Sequence, residues 1–210
     1  MKEKNVLVLD EEIDNHQFIK RDLQTAYGEE ITVMIETPLA TEELMIDRIQ
    51  TFSDTLVALI FDERLYETGD CNYNGSDLAA VYRAYDPKIP IYILTSYPTD
   101  VVESGDVEYV IDKGDLTEDD ALAHLSQKLR RHINIFADII DQRYQSLDAL
   151  LLKHVSEGLN QSEVEQLQQL QHWKSKGIEL EESLLSETIK QNLDKKEQLL
   201  QALEAQLNKD

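Results

Sequence analysis

The chain has 210 residues, of which 41% are hydrophobic and 30% charged, so it can bury the core of one domain and carry an appendage. Its formal net charge of −22 disfavours functions that need a broad basic face, such as binding nucleic acid or an anionic membrane surface. No stretch reaches the roughly 18 to 20 apolar residues that span a bilayer, and the start carries no signal-peptide pattern. Cys71 is the single cysteine, so we expect a cytoplasmic protein without an intrachain disulfide.

Short apolar runs alternate with helical patterns in the first part of the chain. The predicted strands are 6–9, 31–35, 56–61, 89–94 and 107–111, and the predicted helices are 13–27, 41–52 and 76–85. The run from Val6 to Leu9 is apolar at every position, which is typical of a strand covered on both faces. The stretch 99–106 is polar and weakly periodic, so any helix there is expected to be short. The alternation predicts an α/β fold with a five-stranded parallel sheet.

The helical spacing of about 3.6 residues predicts which side chains of the first two helices face the sheet. The predicted inward residues of the first helix are Phe18, Ile19, Leu23 and Ala26. Those of the second helix are Leu44, Ile46 and Ile49. Each helix is therefore expected to pack one apolar face on the sheet and to expose the other.

Beyond Leu122 the apolar residues recur every three or four positions without a break. This spacing predicts one helix over about 121–157, too long to be covered by a small domain alone. The residues of its apolar stripe are Leu129, Ile133, Phe136, Ile140, Tyr144, Leu147, Leu151 and Val155. Part of this stripe is therefore expected to need another helix.

Two further helices are predicted after the long one. Gly158 ends the long helix, and Ser162 with Glu165 forms a capping box for a helix over about 162–176. A last helix, over about 179–208, carries leucines on one side but has Lys196 at one contact position. We expect a domain over 1–120 and an all-α extension over 121–210, as a helical hairpin or a coiled coil that packs within one chain or between two.

Polar side chains follow the carboxyl ends of four predicted strands. Asp10-Glu11-Glu12 follow the first strand, Asp62 the third, Thr95-Ser96 the fourth, and Asp112-Lys113 the fifth. Functional groups of open parallel sheets gather at this edge, so these side chains are expected to converge. Clustered carboxylates attract a magnesium ion through hard oxygen ligands, and such an ion also neutralises phosphoryl oxygens. The pattern predicts a carboxylate that accepts a phosphoryl group.

The same segments resemble the receiver domains of two-component response regulators, over about residues 4–120. The resemblance is carried by VLVLDEE (6–12), LIFDERL (59–65), NGSDLA (74–79), IPIYILTSY (89–97) and YVIDKG (109–114). It implies a flavodoxin-like, doubly wound fold. It also implies that Asp62 is the phosphoacceptor.

Further roles at the site follow from this resemblance alone. Glu11 would ligate Mg²⁺ directly and Asp10 through water, beside Asp62 and the backbone carbonyl of Arg64. Thr95 would hydrogen-bond the phosphoryl group, and Lys113 would pair with the acceptor carboxylate and its phosphoryl group. Ser96 is the small residue expected beside Thr95.

The chain departs from the family pattern at three places. Gly114 follows Lys113 where the family has a proline with a cis peptide bond. The loop from Asp62 to Gly75 is several residues longer than usual. The switch aromatic of the family falls on Val110, with Tyr109 one residue earlier, so either the fifth strand carries an extra residue at Asp112 or the switch is built differently. In the family, the positions of Arg64 and Tyr97 tune dephosphorylation.

Taken together, these features predict a phosphoacceptor protein that receives its phosphoryl group from a histidine kinase or a phosphotransfer protein. The helical tail would form a homodimer or dock a partner, with no DNA-binding output and no contact with nucleic acid or membrane. Phosphorylation is stoichiometric, so no enzyme is expected. Two alternatives stay open: a pseudo-receiver that binds partners constitutively, and a magnesium-dependent phosphohydrolase with Asp62 as nucleophile.

The tail also carries histidines and a small basic cluster. His132, His154 and His172 lack the following acidic residue that marks phosphorylated histidines in kinases, so they are expected to be surface or packing residues. The cluster of Lys128, Arg130, Arg131 and His132 is expected to balance an acidic surface. Trp173 is expected to pack between helices.

Overall fold

The structure, a computed structural model, describes residues 3–101 and 104–171. Five strands form one sheet: β1 (Asn5–Leu9), β2 (Thr32–Glu36), β3 (Leu56–Asp62), β4 (Ile91–Thr95) and β5 (Tyr109–Asp112). Their order is β2-β1-β3-β4-β5, and every neighbouring pair is parallel. This is the flavodoxin-like order of doubly wound sheets, so the predicted fold class is confirmed.

Five helices accompany the sheet in the described residues. They are α1 (His16–Tyr27), α2 (Glu42–Gln50), α3 (Gly75–Tyr82), α4 (Asp119–Ser156) and α5 (161–171). Short 3-10 turns occupy Ile13–Asn15, Pro98–Asp100 and Lys113–Leu116. Asn74 caps α3 by accepting a hydrogen bond from the backbone N–H of Asp77 at 2.7 Å. Between β4 and β5, the described residues contain only the turn Pro98–Asp100, in agreement with the short helix expected there.

Both faces of the sheet are covered, which explains the continuous apolar runs of its strands. Val6 and Val8 of β1 belong to the core formed with α1 and α4. Leu7 and Leu9 belong to the core formed with α2 and α3. All four side chains are fully buried. A strand with such neighbours needs an apolar residue at every position rather than at every second one.

Two predicted inward residues face solvent instead. Phe18 is 60% exposed and Leu44 is 53% exposed. The buried residues of α1 are Ile19, Leu23, Ala26 and Tyr27, and those of α2 are Met45, Ile46 and Ile49. One residue along a helix corresponds to about 100° of rotation, so Phe18 and Leu44 lie beside the buried face and not on it. Phe18 contacts the guanidinium of Arg21 at 5.7 Å from its ring centroid.

Helix α4 has 38 residues and confirms the single long helix of the prediction. Leu125, Leu129 and Ile133 join the core on the α1 side, and Phe136 joins the core on the α2–α3 side. The first half of α4 therefore belongs to the packing of the sheet, and the division at residue 120 stays a prediction. No described helix is long and apolar enough to cross a membrane.

The second half of α4 packs against α5 in a separate hydrophobic cluster. Leu147 and Leu150 of α4 contact Leu167 of α5 there. Leu151 and Val155, which the predicted stripe places inward, are 40% and 87% exposed. The reason is geometric: α5 covers the side of α4 that carries Leu147 and Leu150, and Leu151 lies at the border of that side, about 100° around the helix from Leu150.

The turn into α5 differs from the predicted capping box. Gly158 has a φ of 82°, a left-handed conformation that favours glycine. Asn160, rather than Ser162, caps the helix: its Oδ1 accepts from the Glu163 N–H at 3.0 Å, and Glu163 accepts from the Asn160 N–H at 3.0 Å. Lys153 pairs with Glu163 at 2.6 Å. The predicted helix 179–208 lies outside the described residues, as do Lys196, His172 and Trp173.

Candidate functional site

The register of the sheet brings the predicted polar residues to one edge. In the ladders, Leu9 pairs with Phe61, Asp62 with Leu94, and Thr95 with Asp112. The residues that follow these strands therefore lie at similar positions along the strand direction, at one edge of the sheet. Asp10, Glu11, Asp62 and Thr95 are all buried there.

Lys113 connects two of the buried carboxylates. Its Nζ lies 2.6 Å from Oδ1 of Asp62 and 3.1 Å from Oδ2 of Asp10. Asp10 and Lys113 are 103 residues apart in the chain. Since a charged side chain in the interior needs a partner, the ammonium serves as the ion-pair partner of both carboxylates.

Backbone groups hold the same two carboxylates from their other side. Oδ2 of Asp62 accepts a hydrogen bond from the Arg64 N–H at 2.7 Å. Oδ1 of Asp10 accepts from the Glu12 N–H at 2.9 Å. Gly75, the first residue of α3, approaches so closely that a Cβ there would overlap the carbonyl oxygen of Asp62. The position of Asp62 is thus set by its own loop and by close packing of α3.

Glu11 is the least satisfied of the three acids. Its Oε2 is buried and has no hydrogen-bond partner in the structure. Burial, together with the charge of Asp62, raises the pKa of Glu11 to about 7. Burying a carboxylate oxygen without a hydrogen-bond donor costs folding free energy unless a cation or a proton compensates its charge.

The three carboxylates form a donor set for a cation. Asp10, Glu11 and Asp62 each offer one oxygen, and these oxygens lie within 4.8 Å of one another. When all three carboxylates are ionised, the one ammonium of Lys113 leaves two uncompensated negative charges, which a divalent cation would balance. Hard carboxylate oxygens are ligands that Mg²⁺ prefers, so this donor set fits that ion.

The pKa values of Asp62 and Lys113 reflect burial and pairing. Burial raises the pKa of Asp62, although the hydrogen bond and the charge of Lys113 act to lower it. Burial alone would lower the pKa of Lys113, but its hydrogen bond with Asp62 and the charges of Asp62 and Asp10 raise it overall. Lys113 therefore remains an ammonium at neutral pH.

Arg64 and Tyr97 lie together beside the site. The guanidinium of Arg64 lies 4.1 Å from the centroid of the Tyr97 ring, and it also contacts Glu67 at 3.0 Å and Asp100 at 3.6 Å. The hydroxyl of Thr95 accepts from the Tyr97 N–H at 3.1 Å. The carbonyl of Arg64 accepts from the Glu67 N–H at 2.9 Å, which leaves its second lone pair for a further partner.

Two contacts at the site were not predicted. Nε2 of His16 lies 2.9 Å from the backbone oxygen of Asp10 and 3.7 Å from its carboxylate. The carboxylate of Glu63 accepts from the N–H and the hydroxyl of Ser76 at 3.1 and 2.7 Å. The position of His16 six residues after Asp10, at the start of α1, was a usable signal, but the pairing of Glu63 with Ser76 depends on how α3 packs.

The end of β5 decides whether the fifth strand carries an extra residue at Asp112. The ladder between β4 and β5 is continuous from Tyr109 to Asp112, so Asp112 is not accommodated as a bulge. Tyr109 packs on the α1–α4 side of the sheet, and Val110 packs on the α2–α3 side. Val110, the position on which the resemblance places a switch aromatic, therefore packs toward α2 and α3, and Tyr109 packs on the opposite side. The described residues contain no cis peptide bond, and Gly114 donates its N–H to Asp112 at 2.8 Å.

No family model and no curated protein matches the chain. Among solved structures, it is similar to the non-phosphorylated receiver domain of HemR from Leptospira biflexa, with a TM-score of 0.41 and 16% identity over 62% of this chain and 94% of that one. It is also similar to the response regulator RcsB of Salmonella typhimurium, with a TM-score of 0.34 and 18% identity over 84% of this chain and 88% of that one. The fold assignment rests on the strand order of the sheet itself. These two structures are described as a receiver domain and as a response regulator.

Proposed function

We propose that this protein is a phosphoacceptor receiver of a two-component or phosphorelay system and that Asp62 is its phosphorylated residue. One observation carries the proposal: Lys113 bridges Asp62 and Asp10 while the buried Oε2 of Glu11 beside them has no partner. An ordinary structural ion pair would satisfy its carboxylates. This arrangement leaves negative charge for a cation and a phosphoryl group.

The transfer is a displacement at phosphorus. An oxygen of the Asp62 carboxylate forms the new O–P bond, while the P–N bond to a phosphohistidine of the kinase or phosphotransfer protein breaks and the imidazole keeps the electron pair. Lys113, 2.6 Å from Asp62, balances charge on the phosphoryl oxygens. The hydroxyl of Thr95 donates a hydrogen bond to one of those oxygens.

Asp10, Glu11 and Asp62, with the carbonyl of Arg64, would hold Mg²⁺. When bound, this ion neutralises the charge on the phosphoryl oxygens. The two uncompensated charges and the unpartnered Oε2 of Glu11 support this assignment. Without a cation these carboxylates repel each other, and this repulsion favours the binding of Mg²⁺.

The helical tail is proposed to dimerise or to dock a partner, in a cytoplasmic protein without DNA-binding output or turnover activity. Two facts support this role: α4 continues for twenty residues beyond Phe136, and Leu152 and Val155 are 73% and 87% exposed. Light scattering on the full chain tests the dimer, which would have twice the mass of 24.2 kDa. A monomer mass at micromolar concentration would exclude the homodimer.

The phosphoacceptor is tested with acetyl phosphate and MgCl₂, read by intact-protein mass spectrometry. We expect one phosphoryl group on the wild type and complete loss of labelling in Asp62→Asn. Asp70→Asn is the matched control, because Asp70 lies in the same loop, is exposed and is not part of the carboxylate cluster. Circular dichroism confirms that each variant is folded.

Other outcomes of this experiment would identify the alternatives. Labelling of Asp62→Asn would show that another residue is the acceptor. Absence of label on the wild type, with acetyl phosphate or with a histidine kinase, would favour a pseudo-receiver that binds partners constitutively. Release of many phosphate molecules per chain, lost in Asp62→Asn, would instead identify a phosphohydrolase.

A further inference from the structure

A cleft opens between the edge strand β5 and the first half of α4, on residues that phosphorylation of Asp62 does not use. Its volume is about 460 Å³. Glu108 and Tyr109 line it on the strand side, and the helix contributes His124, Lys128, Arg131 and His132. The helical residues are spaced by three or four positions, so they form one basic ridge facing the cleft.

The positive charge of this ridge is not neutralised by the rest of the described chain. Neither Lys128 nor Arg131 has a carboxylate within 4.0 Å among the residues that the structure describes, although the chain carries a net charge of −22. The nearby Glu108 is already engaged: it accepts from Arg83 at 2.7 and 2.8 Å and from the Ile91 N–H at 2.6 Å. The cleft therefore keeps an excess of positive charge.

Aromatic side chains hold the basic groups in place without neutralising them. The Nζ of Lys128 lies 3.3 Å from the centroid of the Tyr109 ring. Nδ1 of His132 lies 3.0 Å from the hydroxyl of Tyr92, a fully buried residue. If Tyr92 donates this hydrogen bond, Nε2 of His132 carries the ring proton and is a donor for an anion.

Burial is the main cause of the lowered pKa of His132. The charge of Glu108 acts to raise this pKa, and the smaller effects of Lys128 and Arg131 act to lower it. The positive charge of the cleft therefore comes from Lys128 and Arg131, which would favour a negatively charged ligand.

We propose that this cleft binds the phosphate group of a small phosphomonoester. A phosphate offers several acceptor oxygens, which match the N–H groups of Lys128, Arg131 and His124 better than a single carboxylate does. The volume of about 460 Å³ lies within the range of small-molecule sites, so it also has room for the organic part of the ligand. The site is independent of the proposed phosphorylation of Asp62.

Titration calorimetry tests the site with two probes, inorganic phosphate and adenosine 5′-monophosphate, at constant ionic strength. EDTA in the buffer prevents a divalent cation from bringing phosphate to Asp62, and Asp62→Asn serves as a second host protein. We expect saturable binding in both hosts. The double variant Lys128→Gln, Arg131→Gln should weaken that binding by about tenfold or more, because two charged donors are removed.

A matched double variant controls for net charge. Lys20→Gln, Arg21→Gln removes the same two charges from α1, whose residues do not line the cleft, and should leave the affinity within about twofold. Circular dichroism confirms folding of both double variants. NMR signals of the His124 and His132 rings should shift on titration in the wild type.

Each outcome decides the proposal. Equal affinity for the two probes would mean that only the phosphate group is held, and tighter binding of adenosine 5′-monophosphate would mean that the cleft also contacts the organic part. No saturable binding of either probe, or equal weakening by both double variants, would overturn the site. Binding of an acidic peptide in place of either probe would also overturn it. None of these results bears on labelling of Asp62, so the two proposals fail separately.

Discussion

The α/β body and the distal helical hairpin are stabilised in different ways. In the body, which extends along α4 as far as Phe136, the sheet has an apolar core on each face, and the first half of α4 contributes to both of them. In the hairpin, Leu147, Leu150 and Leu167 form a small cluster of their own. Leu152 and Val155, near the end of α4, remain largely exposed.

The difference shows where buried charge can be maintained. Asp10, Asp62 and Lys113 lie in the body, where both carboxylates are buried and each lies within hydrogen-bond distance of Lys113. The polar contact between α4 and α5, from Lys153 to Glu163, lies at the surface of the hairpin and is worth little to stability. A reaction that needs buried carboxylates is therefore expected in the body and not in the hairpin.

The largest expected effect comes from a leucine-to-alanine substitution made once in each half of α4, which compares the body with the hairpin. Leu129→Ala should lower the free energy of unfolding by about 4 kcal/mol, because Leu129 is fully buried in the core of the body and its removal leaves a cavity. Leu150→Ala should cost about 2 kcal/mol, because the smaller hairpin cluster can relax and admit water. Urea unfolding followed by circular dichroism measures both. Equal losses would mean that body and hairpin share one core.

A second substitution tests how closely packing controls the site. Gly75→Ala should destabilise the protein by about 3 kcal/mol, because the added Cβ overlaps the backbone of Asp62. Labelling by acetyl phosphate should fall in parallel. The control is Gly105→Ala, since a Cβ at Gly105 meets no atom within 4 Å. If Gly75→Ala behaved like this control, the close approach of α3 would have no part in positioning Asp62.

The smallest expected effect concerns the charge of Glu11. Its pKa is about 7 in the folded protein, above the value of 4.5 for an unperturbed glutamate, so the folded state holds an extra proton between those pH values. Stability without a divalent cation should therefore fall as pH rises from about 5 to 7.5, by about 2 kcal/mol after allowance for solvent screening. Thermal unfolding in EDTA across this range measures the effect.

Two variants and added Mg²⁺ distinguish the titration of Glu11 from that of other groups. Glu11→Gln should flatten this part of the pH profile, while Asp14→Asn, which changes an exposed acid, should leave it unchanged. Mg²⁺ should reduce the loss at high pH, because it binds the ionised carboxylate. A pH profile that is identical in wild type and Glu11→Gln would show that Glu11 titrates normally.

Much of the fold could be predicted, because strands buried on both faces leave a signal in the sequence. The run from Val6 to Leu9 needs no knowledge of its neighbours to be recognised. Helix faces were less certain: Phe18 and Leu44 are apolar and adjacent to the buried face, and spacing alone does not exclude them. The cap of α5 was misassigned for a similar reason, since Asn160 and Ser162 both precede an acid by three residues.

The site could be predicted only in part. Parallel strands bring their carboxyl ends to one edge, so the convergence of Asp10, Asp62 and Lys113 followed from the element order. The unpartnered oxygen of Glu11 and the close approach of Gly75 depend on atomic packing, which spacing does not specify. The cluster around Lys128 was predicted to be surface charge, and Lys128 and Arg131 are exposed. Its position beside Tyr109 depends on how α4 packs against the sheet, which spacing does not specify.

The sequence by itself determined the alternation of strands and helices, the long α4, and which residue types stand at the strand ends. These properties depend on hydrophobic periodicity and on chain connectivity, both of which are local. The tertiary structure alone decided that Tyr109 lies on the α4 side of the sheet and that Lys113 reaches both Asp62 and Asp10. Those outcomes depend on strand register and on side-chain packing between segments about a hundred residues apart, where free energies of burial and charge pairing select one arrangement.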